Sequence, residues 1–410
     1  MKKIILIALT LLGVQMAKAQ TNDRVITTGV PFLTIAADAR AAGMADQGVA
    51  TSTDVFSQQW NPAKYAFALK EHGLSVSYTP YLTNIANDIS LGQVTYYNRF
   101  NERSAFAGSL RYFGLGDVDL RQGPDDEPLV RKPNELAVDL SYALKLDEQF
   151  SMAIAGRFIS SNLRIPEATG GSSDASAAKT FAFDIAAFYQ SEEIAYSDFN
   201  GRWRAGLNVQ NLGPKISYDN DPTLSSNFLP STLRLGGGFD FIFDEYNKLG
   251  VNVELAKLLV PTPYATVNPN PVDSNGDGTI DSNENSIAIE DAATKNAENR
   301  QKYNDINWVS GVFKSFGDAP GGLSEELKEV TYSLGAEYSY QDAFMFRLGY
   351  FNEDKTKGAR KFFSLGAGFR YTVVKIDVSY LFSASQVRNP LENTLRFSLT
   401  FNFGDDYDEY

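Results

Sequence analysis

One pattern recurs along the chain from about Gly73 to Phe403: a segment in which apolar and polar residues alternate, followed by a turn. Because successive side chains of a strand point to opposite faces, each segment predicts a strand with one apolar and one polar face. Many such strands in one chain are typical of a closed barrel in an outer membrane. The last copy is the clearest: Leu395, Phe397, Leu399, Phe401 and Phe403 alternate with Arg396, Ser398, Thr400 and Asn402.

The N-terminus predicts a secretion signal. Lys2 and Lys3 precede an apolar run from Ile4 to Val14, and Ala17-Lys18-Ala19 forms an A-x-A cleavage site before Gln20. Residues 1–19 are therefore interpreted as a signal peptide. Because residue 20 is not cysteine, a lipid anchor at the mature N-terminus is not expected. No later segment approaches the roughly 18–20 consecutive apolar residues of a membrane-spanning helix.

The composition narrows the chemistry further. The 410 residues include no cysteine, which excludes disulfides, a thiol nucleophile and thiolate metal sites. The formal net charge of −13 makes nucleic acid an unlikely partner, because phosphate binding needs a basic surface. Aromatic residues make up 13% of the chain and suit the girdles of a membrane barrel.

The alternating segments predict an all-β fold, a 14-stranded antiparallel transmembrane barrel over residues 72–410. Gly and Pro bound many of the segments, as turns require. The fourteen segments are Gly73–Leu82, Asp88–Phe100, Arg103–Leu115, Asn134–Leu146, Glu148–Leu163, Ala178–Gln190, Gly201–Leu212, Ser231–Phe243, Asn247–Leu258, Glu329–Tyr340, Ala343–Phe351, Lys361–Tyr371, Val374–Ser383 and Glu392–Phe403.

The connections between these segments predict their orientation. Bacterial barrels have even strand numbers, short periplasmic turns and longer outside loops. The connections after the even-numbered segments are short, apart from a moderately longer one after the sixth (Ser191–Asn200), and those after the odd-numbered segments are mostly long. A further candidate, Ile306–Phe316, breaks this order and is therefore placed in a long extracellular loop, residues 259–328, as a helix or a lid. Both termini are then expected on the periplasmic side.

The segment before the barrel, residues 20–71, is rich in small residues and does not alternate. Its length is enough to fill a barrel lumen, and plugged interiors are common. Asp38 and Arg40 are expected to pair with charges on the inner wall, and Trp60-Asn61-Pro62 completes the predicted plug motif. The alternative is a periplasmic tail outside the barrel.

Two parts of the sequence resemble the PorV (LptO) proteins, an offshoot of the FadL family. The first comprises Phe32–Met44, Gly48-Val49-Ala50-Thr51 and Trp60-Asn61-Pro62-Ala63, of which the Asn-Pro-Ala element is shared with FadL transporters. The second comprises Ser315–Gly322, Glu325–Glu329 and Tyr338. The resemblance covers essentially the whole mature chain.

This resemblance implies a FadL-type barrel of fourteen strands in the type IX secretion system. It further implies association with the SprA (Sov) translocon and binding of exported cargo through its C-terminal signal domain. The resemblance also implies that the protein delivers this cargo to the PorU sortase for attachment to the cell surface. Outer-membrane lipid and lipopolysaccharide are the expected surroundings.

The sequence also contains a candidate calcium loop. The twelve residues from Asp273 to Glu284 fit an EF-type loop, with Gly278 at the sharp turn. In the long loop, bound Ca²⁺ would be structural. The alternative is a solvated Asn/Asp/Gly loop. The predicted ligands are Asp273, Asn275, Asp277, Thr279, Asp281 and Glu284.

Three functions remain open at this stage. The leading one is a binding and shuttle component whose loops bind partners. The alternatives for its apolar loop residues are packing within the loops or contact with lipid. The second is a FadL-like channel for hydrophobic molecules. An enzyme acting on lipopolysaccharide is the weakest, because we find no nucleophile–base set and the only histidine, His72, lies at the edge of a strand. The candidate contact residues are Phe228, Leu229, Trp308, Val309, Phe313 and Phe316.

Overall fold

The structure of the protein is a computed structural model. It describes residues 25–82, 88–121, 129–163, 177–218, 226–276, 278–385, 391–392 and 394–407. The predicted signal peptide, residues 1–19, lies outside the described residues.

The chain forms a closed antiparallel barrel of 14 strands, as the alternation predicts. Each strand pairs with the next along the chain, and β14 returns to β1, where Val76 lies opposite Leu399. The strands are β1 (Lys70–Pro80), β2 (Ile89–Arg99), β3 (Ser104–Leu115), β4 (Asn134–Lys145), β5 (Phe150–Asn162), β6 (Ala178–Gln190), β7 (Asn200–Leu212), β8 (Thr232–Ile242), β9 (Asn247–Leu258), β10 (Val330–Tyr340), β11 (Phe344–Asn352), β12 (Lys361–Tyr371), β13 (Val374–Ser383) and β14 (Leu395–Asp406).

The two faces of each strand differ as predicted. In β14 the side chain of Phe397 is 44% exposed on the outer surface, while that of Arg396 is 1% exposed and points inward. In β10 the large residues Tyr332 and Leu334 face outward and Ser333 is buried. The wall therefore has an apolar outer surface and a polar inner surface, which fits a barrel surrounded by lipid.

The connections divide by length between the two ends of the barrel. The end with short connections, such as residues 341–343 and 372–373, is called the turn end below. Gln341 and Asp342 adopt φ values of 55° and 48° there, as tight hairpin turns require. The opposite end is the loop end. Two small hairpins in its loops were not predicted: Val118–Leu120 with Leu129–Arg131, and Ile216–Ser217 with Ser226–Asn227.

The predicted strand limits were least accurate where β1 meets β14. Both strands extend further toward the turn end than predicted, and Lys70 lies opposite Asp406. The register shifts between Lys70 and His72, and Gly404 has φ of 88°. A bulge lets β1 and β14 remain paired beyond the residues at which apolar and polar side chains stop alternating. The alternation in the sequence therefore could not show where these two strands end.

The remaining elements are short helices and one long helix. None of the helices that the structure describes is long and apolar enough to span a membrane. The α-helices are α1 (Ala39–Gly43), α2 (Ser57–Trp60), α3 (Ser282–Asn304), α4 (Trp308–Lys314) and α5 (Leu323–Glu326), and the 3₁₀ turns are Pro31–Thr34, Pro62–Phe67 and Leu327–Glu329.

The described residues divide into two compact units. The larger contains residues 26–261 and 304–410, and thus the whole barrel. The smaller contains Thr262–Tyr303. Within it, the Asn296 side chain of α3 donates a hydrogen bond to the Val267 carbonyl (2.9 Å) and accepts one from the Val267 N–H (2.7 Å). The predicted loop 259–328 is therefore split, because residues 304–328 belong to the barrel unit.

Candidate functional site

The N-terminal segment, residues 29–69, lies against the inner wall of the barrel. At the loop end the Gly29 N–H donates to the Phe228 carbonyl (2.9 Å), and at the turn end the Tyr407 N–H donates to the Leu69 carbonyl (2.9 Å). The described chain therefore begins at the loop end and crosses the lumen to reach β1. Tyr407 thus lies at the turn end, whereas Gly29 lies at the loop end.

Inward-facing hydroxyl groups hold the backbone of this segment on several sides. Ser398 of β14 accepts from the Ala39 N–H (2.8 Å) and Ser364 of β12 accepts from the Ala45 N–H (2.9 Å). Ser151 of β5 donates to the Ala63 carbonyl (2.7 Å). These partners replace water for backbone groups that would otherwise be buried without hydrogen bonds.

Arg40 joins the segment to the wall by ion pairs. Its guanidinium lies 2.7 Å from Asp54 of the segment and 2.7 Å from Glu337 of β10. Glu337 also pairs with Arg347 of β11 (2.6 Å), which in turn pairs with Asp377 of β13 (2.7 Å). The pairing with wall charges expected from the sequence thus occurs at Arg40.

Asp38 instead organises the segment itself. Its carboxylate accepts hydrogen bonds from the Trp60 Nε1–H (2.8 Å) and from the Ala41 N–H (2.7 Å), so it also caps α1. Trp60 is 1% exposed, and the Arg234 guanidinium lies 5.0 Å from its ring centre. Asp38 and Trp60 therefore lock two distant parts of the segment together.

Asn61 and Pro62 form the next link. The Asn61 amide donates to the carbonyls of Val49 and of Ala187 in β6 (both 2.9 Å), and its oxygen accepts from the Ala63 N–H (3.1 Å). Pro62 begins the following 3₁₀ turn, a position where its missing N–H costs nothing. Asn61 consequently ties the segment to the wall through backbone atoms.

Some wall residues that hold the segment were missed by the sequence analysis. Glu254 of β9 accepts from the N–H groups of Gly48 (2.8 Å) and Val49 (2.9 Å). At Gly236 a Cβ atom would lie 2.5 Å from Val49, so this glycine makes room for the segment. Nothing in the sequence of β8 identified Val49 as the neighbour of Gly236.

The predicted contact residues of the loops fall into two groups. Phe228 (4% exposed) and Leu229 (1%) are buried within the chain, and Leu229 packs with Val30 and Phe32. We therefore withdraw these two as partner contacts, since they have no free surface to offer. Trp308 is half-buried, with its ring 6.3 Å from that of Phe183.

The other three residues, Val309 and Phe313 of α4 and Phe316 of the turn that follows it, form what is called the exposed stripe of α4. Phe313 is 73% exposed and Phe316 53%. Their spacing of four and three residues places them on one side of a helical path. The other side packs on the chain, where Gly311 lies against Phe228 and Pro261. The apolar stripe therefore lies on the exposed side of α4.

Buried ion pairs fix the residues that follow α4. Lys257 of β9 pairs with Glu326 (2.9 Å) and Glu329 (2.6 Å), and Lys357 pairs with Glu325 (2.7 Å) and Glu329 (3.0 Å). The sequence Glu325–Glu329, which carries part of the resemblance, thus anchors the end of the long loop. This anchoring holds the exposed stripe in a defined place.

Two carboxylates hold the described part of the calcium-loop candidate through hydrogen bonds. Asp273 accepts from the N–H groups of Gly276 (2.6 Å) and Gly278 (2.8 Å), and Gly278 has φ of 84°. Glu284 accepts from the Ser274 N–H (2.6 Å) and hydroxyl (2.8 Å), and these bonds lower the pKa of Glu284.

The ligand set of this loop is incomplete among the described residues. Asp277 lies outside them. Among those that the structure does describe, no group of three or more His, Cys, Asp or Glu side chains is arranged to hold a metal ion.

The solved structures that match the chain include hydrocarbon channels and transporters. The monoaromatic hydrocarbon channel CymD is 12% identical, with 91% of this chain and 99% of that chain covered and a TM-score of 0.46. A Pseudomonas aeruginosa FadL homologue is 13% identical (93% and 99% covered, TM-score 0.40), and the Pseudomonas putida toluene transporter TodX is 10% identical (92% and 97%, TM-score 0.45).

The sequence comparison is more specific. No curated protein matches the chain. Residues 18–265, more than half of the 410, match the family described as "Type IX secretion system protein PorV". The match includes the N-terminal segment and β1 to β9, whose interactions are described above. The chain therefore belongs to the PorV family of type IX secretion system proteins.

Proposed function

We propose that this protein is a binding and shuttle component of type IX secretion. In this proposal it associates with the SprA translocon, binds exported cargo through the C-terminal signal domain and delivers the cargo to the PorU sortase. The turn end lies in the periplasm and the loop end outside the cell. Membership of the PorV family supports a role in type IX secretion, and the geometry of the loop end supports a binding role in that system.

The N-terminal segment occupies the apolar part of the lumen at the loop end, which favours binding over conduction. At the loop end, Val30, Phe32 and Leu33 of the N-terminal segment pack in one apolar cluster with the wall residues Phe113 and Ile159. A channel for hydrophobic molecules would need this apolar volume for its substrate. We therefore favour the shuttle role over the FadL-like channel.

The observation that carries the proposal is the exposed stripe of α4. Three large apolar side chains on one anchored helical path form a surface of the kind that usually marks a protein or membrane interaction site. Truncating a central aromatic residue of a protein interface costs about 2 kcal/mol or more, which is more than tenfold in affinity. Phe313 and Phe316 are accordingly the residues to test first.

The test is complementation of a deletion strain. With the gene deleted, cargo should be made but not displayed on the cell surface, and the wild-type gene should restore display. Phe313→Ser combined with Phe316→Ser should lower display and the recovery of the translocon in a mild-detergent pull-down about tenfold. Ile287→Ser combined with Ile289→Ser is the matched control, because both side chains are 51% exposed in the smaller unit. Normal display in the deletion strain would overturn the shuttle role.

We also propose that the loop from Asp273 to Glu284 binds Ca²⁺. The turns at Gly276 and Gly278 fit a loop that presents charged oxygens to a cation. Bound Ca²⁺ would stiffen the smaller unit and have no catalytic role.

Calcium should therefore protect this loop from protease, and Asp277→Ala combined with Glu284→Ala should abolish the protection. The control, Glu290→Ala with Asp291→Ala, removes the same charge from exposed positions of α3 and should keep it. Equal protection in both variants would count against the site.

A further inference from the structure

The outer wall of the barrel carries an unusual row of side chains across β2 to β6. In the strand register Tyr96, Gly108, Leu140, Gly156 and Phe183 lie directly opposite one another, so large residues alternate with glycine. All five face outward. Lipid-facing strand positions normally carry large apolar side chains, and here two of them carry none.

The adjacent row toward the turn end contains no glycine. It consists of Asn98, Phe106, Tyr142, Ile154 and Ile185, again directly opposite one another. The rings of Phe106 and Tyr142 are 4.9 Å apart. The two rows together enclose an open groove of about 780 Å³ whose outward-facing lining residues are all uncharged.

Tyr96 and Asn98 line the β2 end of this groove. Next to it, the His72 Nδ1 atom lies 3.0 Å from the Tyr96 hydroxyl and 2.9 Å from the Asn98 amide nitrogen. Tyrosine and histidine beside an apolar wall are typical of the level at which lipid headgroups begin. From this end the groove runs into the apolar part of the wall, where Leu140 is 70% exposed.

We propose that this groove binds one glycerophospholipid. Its acyl chain lies over Gly108 and Gly156, and its headgroup lies at the end formed by His72, Tyr96 and Asn98. The order of polar and apolar groups along the groove is that of a phospholipid. The groove is also continuous with the lipid-facing surface of the barrel, so the ligand enters from the bilayer without crossing water.

Gly156→Leu is the direct test, because a Cβ atom at this position meets nothing within 4 Å and the substitution fills the groove without straining the wall. Gly237→Leu is the matched control. Gly237 alternates with the exposed Leu235 on the outer face of β8, and the nearest atom to its Cβ would be 3.9 Å away.

Each variant is purified from outer membranes in mild detergent, and retained phospholipid is measured by native mass spectrometry and by extraction. We expect about one lipid per chain in the wild type and in Gly237→Leu, and at least a tenfold loss in Gly156→Leu. Heat-modifiable migration on gels confirms that all three remain folded.

The proposal is overturned by equal retention in all three proteins, or by no retained lipid in the wild type. It is also overturned if Gly156→Leu keeps the lipid and instead loses a co-purifying protein, because the groove would then be a protein interface. None of these results bears on the shuttle role.

Discussion

Replacing Arg40 with methionine should destabilise the folded protein by about 3–5 kcal/mol, the usual cost of removing one partner from a buried ion pair. The substitution leaves the half-buried Glu337 and Asp54 without the cation that lies 2.7 Å from each. Arg40 also donates to the Ser52 carbonyl (2.9 Å), which loses its partner as well. The free energy of unfolding is measured by urea titration in detergent micelles.

The control for this prediction is Arg103→Met, which removes an exposed arginine of the turn end and should cost less than about 1 kcal/mol. The double variant Arg40→Met with Glu337→Gln should lose less than the sum of the single variants, because the two residues interact directly. If Arg40→Met unfolds at the same urea concentration as the wild type, the ion pairs do not hold the segment in place.

Trp60→Ala should destabilise the protein by a similar amount, about 3–5 kcal/mol, because a large buried ring is lost. Trp60→Phe separates the two contributions of this residue. It keeps an aromatic ring but removes the Nε1–H that donates to Asp38 (2.8 Å), and the buried carboxylate then costs about 1–3 kcal/mol.

Trp203→Phe is the matched substitution on the outer wall, where the ring is 53% exposed, and it should change the free energy of unfolding by less than about 1 kcal/mol. The same urea titration compares all three variants. Equal effects of Trp60→Phe and Trp203→Phe would mean that the bond to Asp38 is not important for stability.

The sequence was sufficient to predict the barrel because a two-residue period is a local property. Each residue of β14 shows its face by its own polarity, and the lengths of the connections excluded Ile306–Phe316 as a further strand. The limits were least accurate where a bulge continues the pairing, as at Lys70 and His72.

The partners of the N-terminal segment could not be predicted in the same way. Arg40 is an evident candidate for a buried charge, yet Glu337 lies far away in sequence and is one of many acidic residues. The role of Glu254 could not be predicted from the sequence. Its carboxylate accepts from the N–H groups of Gly48 and Val49, but in the sequence it does not differ from other inward-facing polar residues of the strands.

The loop residues show the same limit. Phe228 and Phe313 are both aromatic residues in long loops, but one is 4% exposed and the other 73%. Only the position of α4 against Phe228 decides which of them has a free surface.

The amino-acid sequence alone determined that the chain forms a barrel with an apolar exterior, because alternation along a strand fixes which side chains meet lipid. The tertiary structure decided what fills the lumen, which loop residues are free and where the wall has a groove. These features depend on atoms that are distant along the chain and adjacent in space, and a pattern of neighbouring residues does not record such distances.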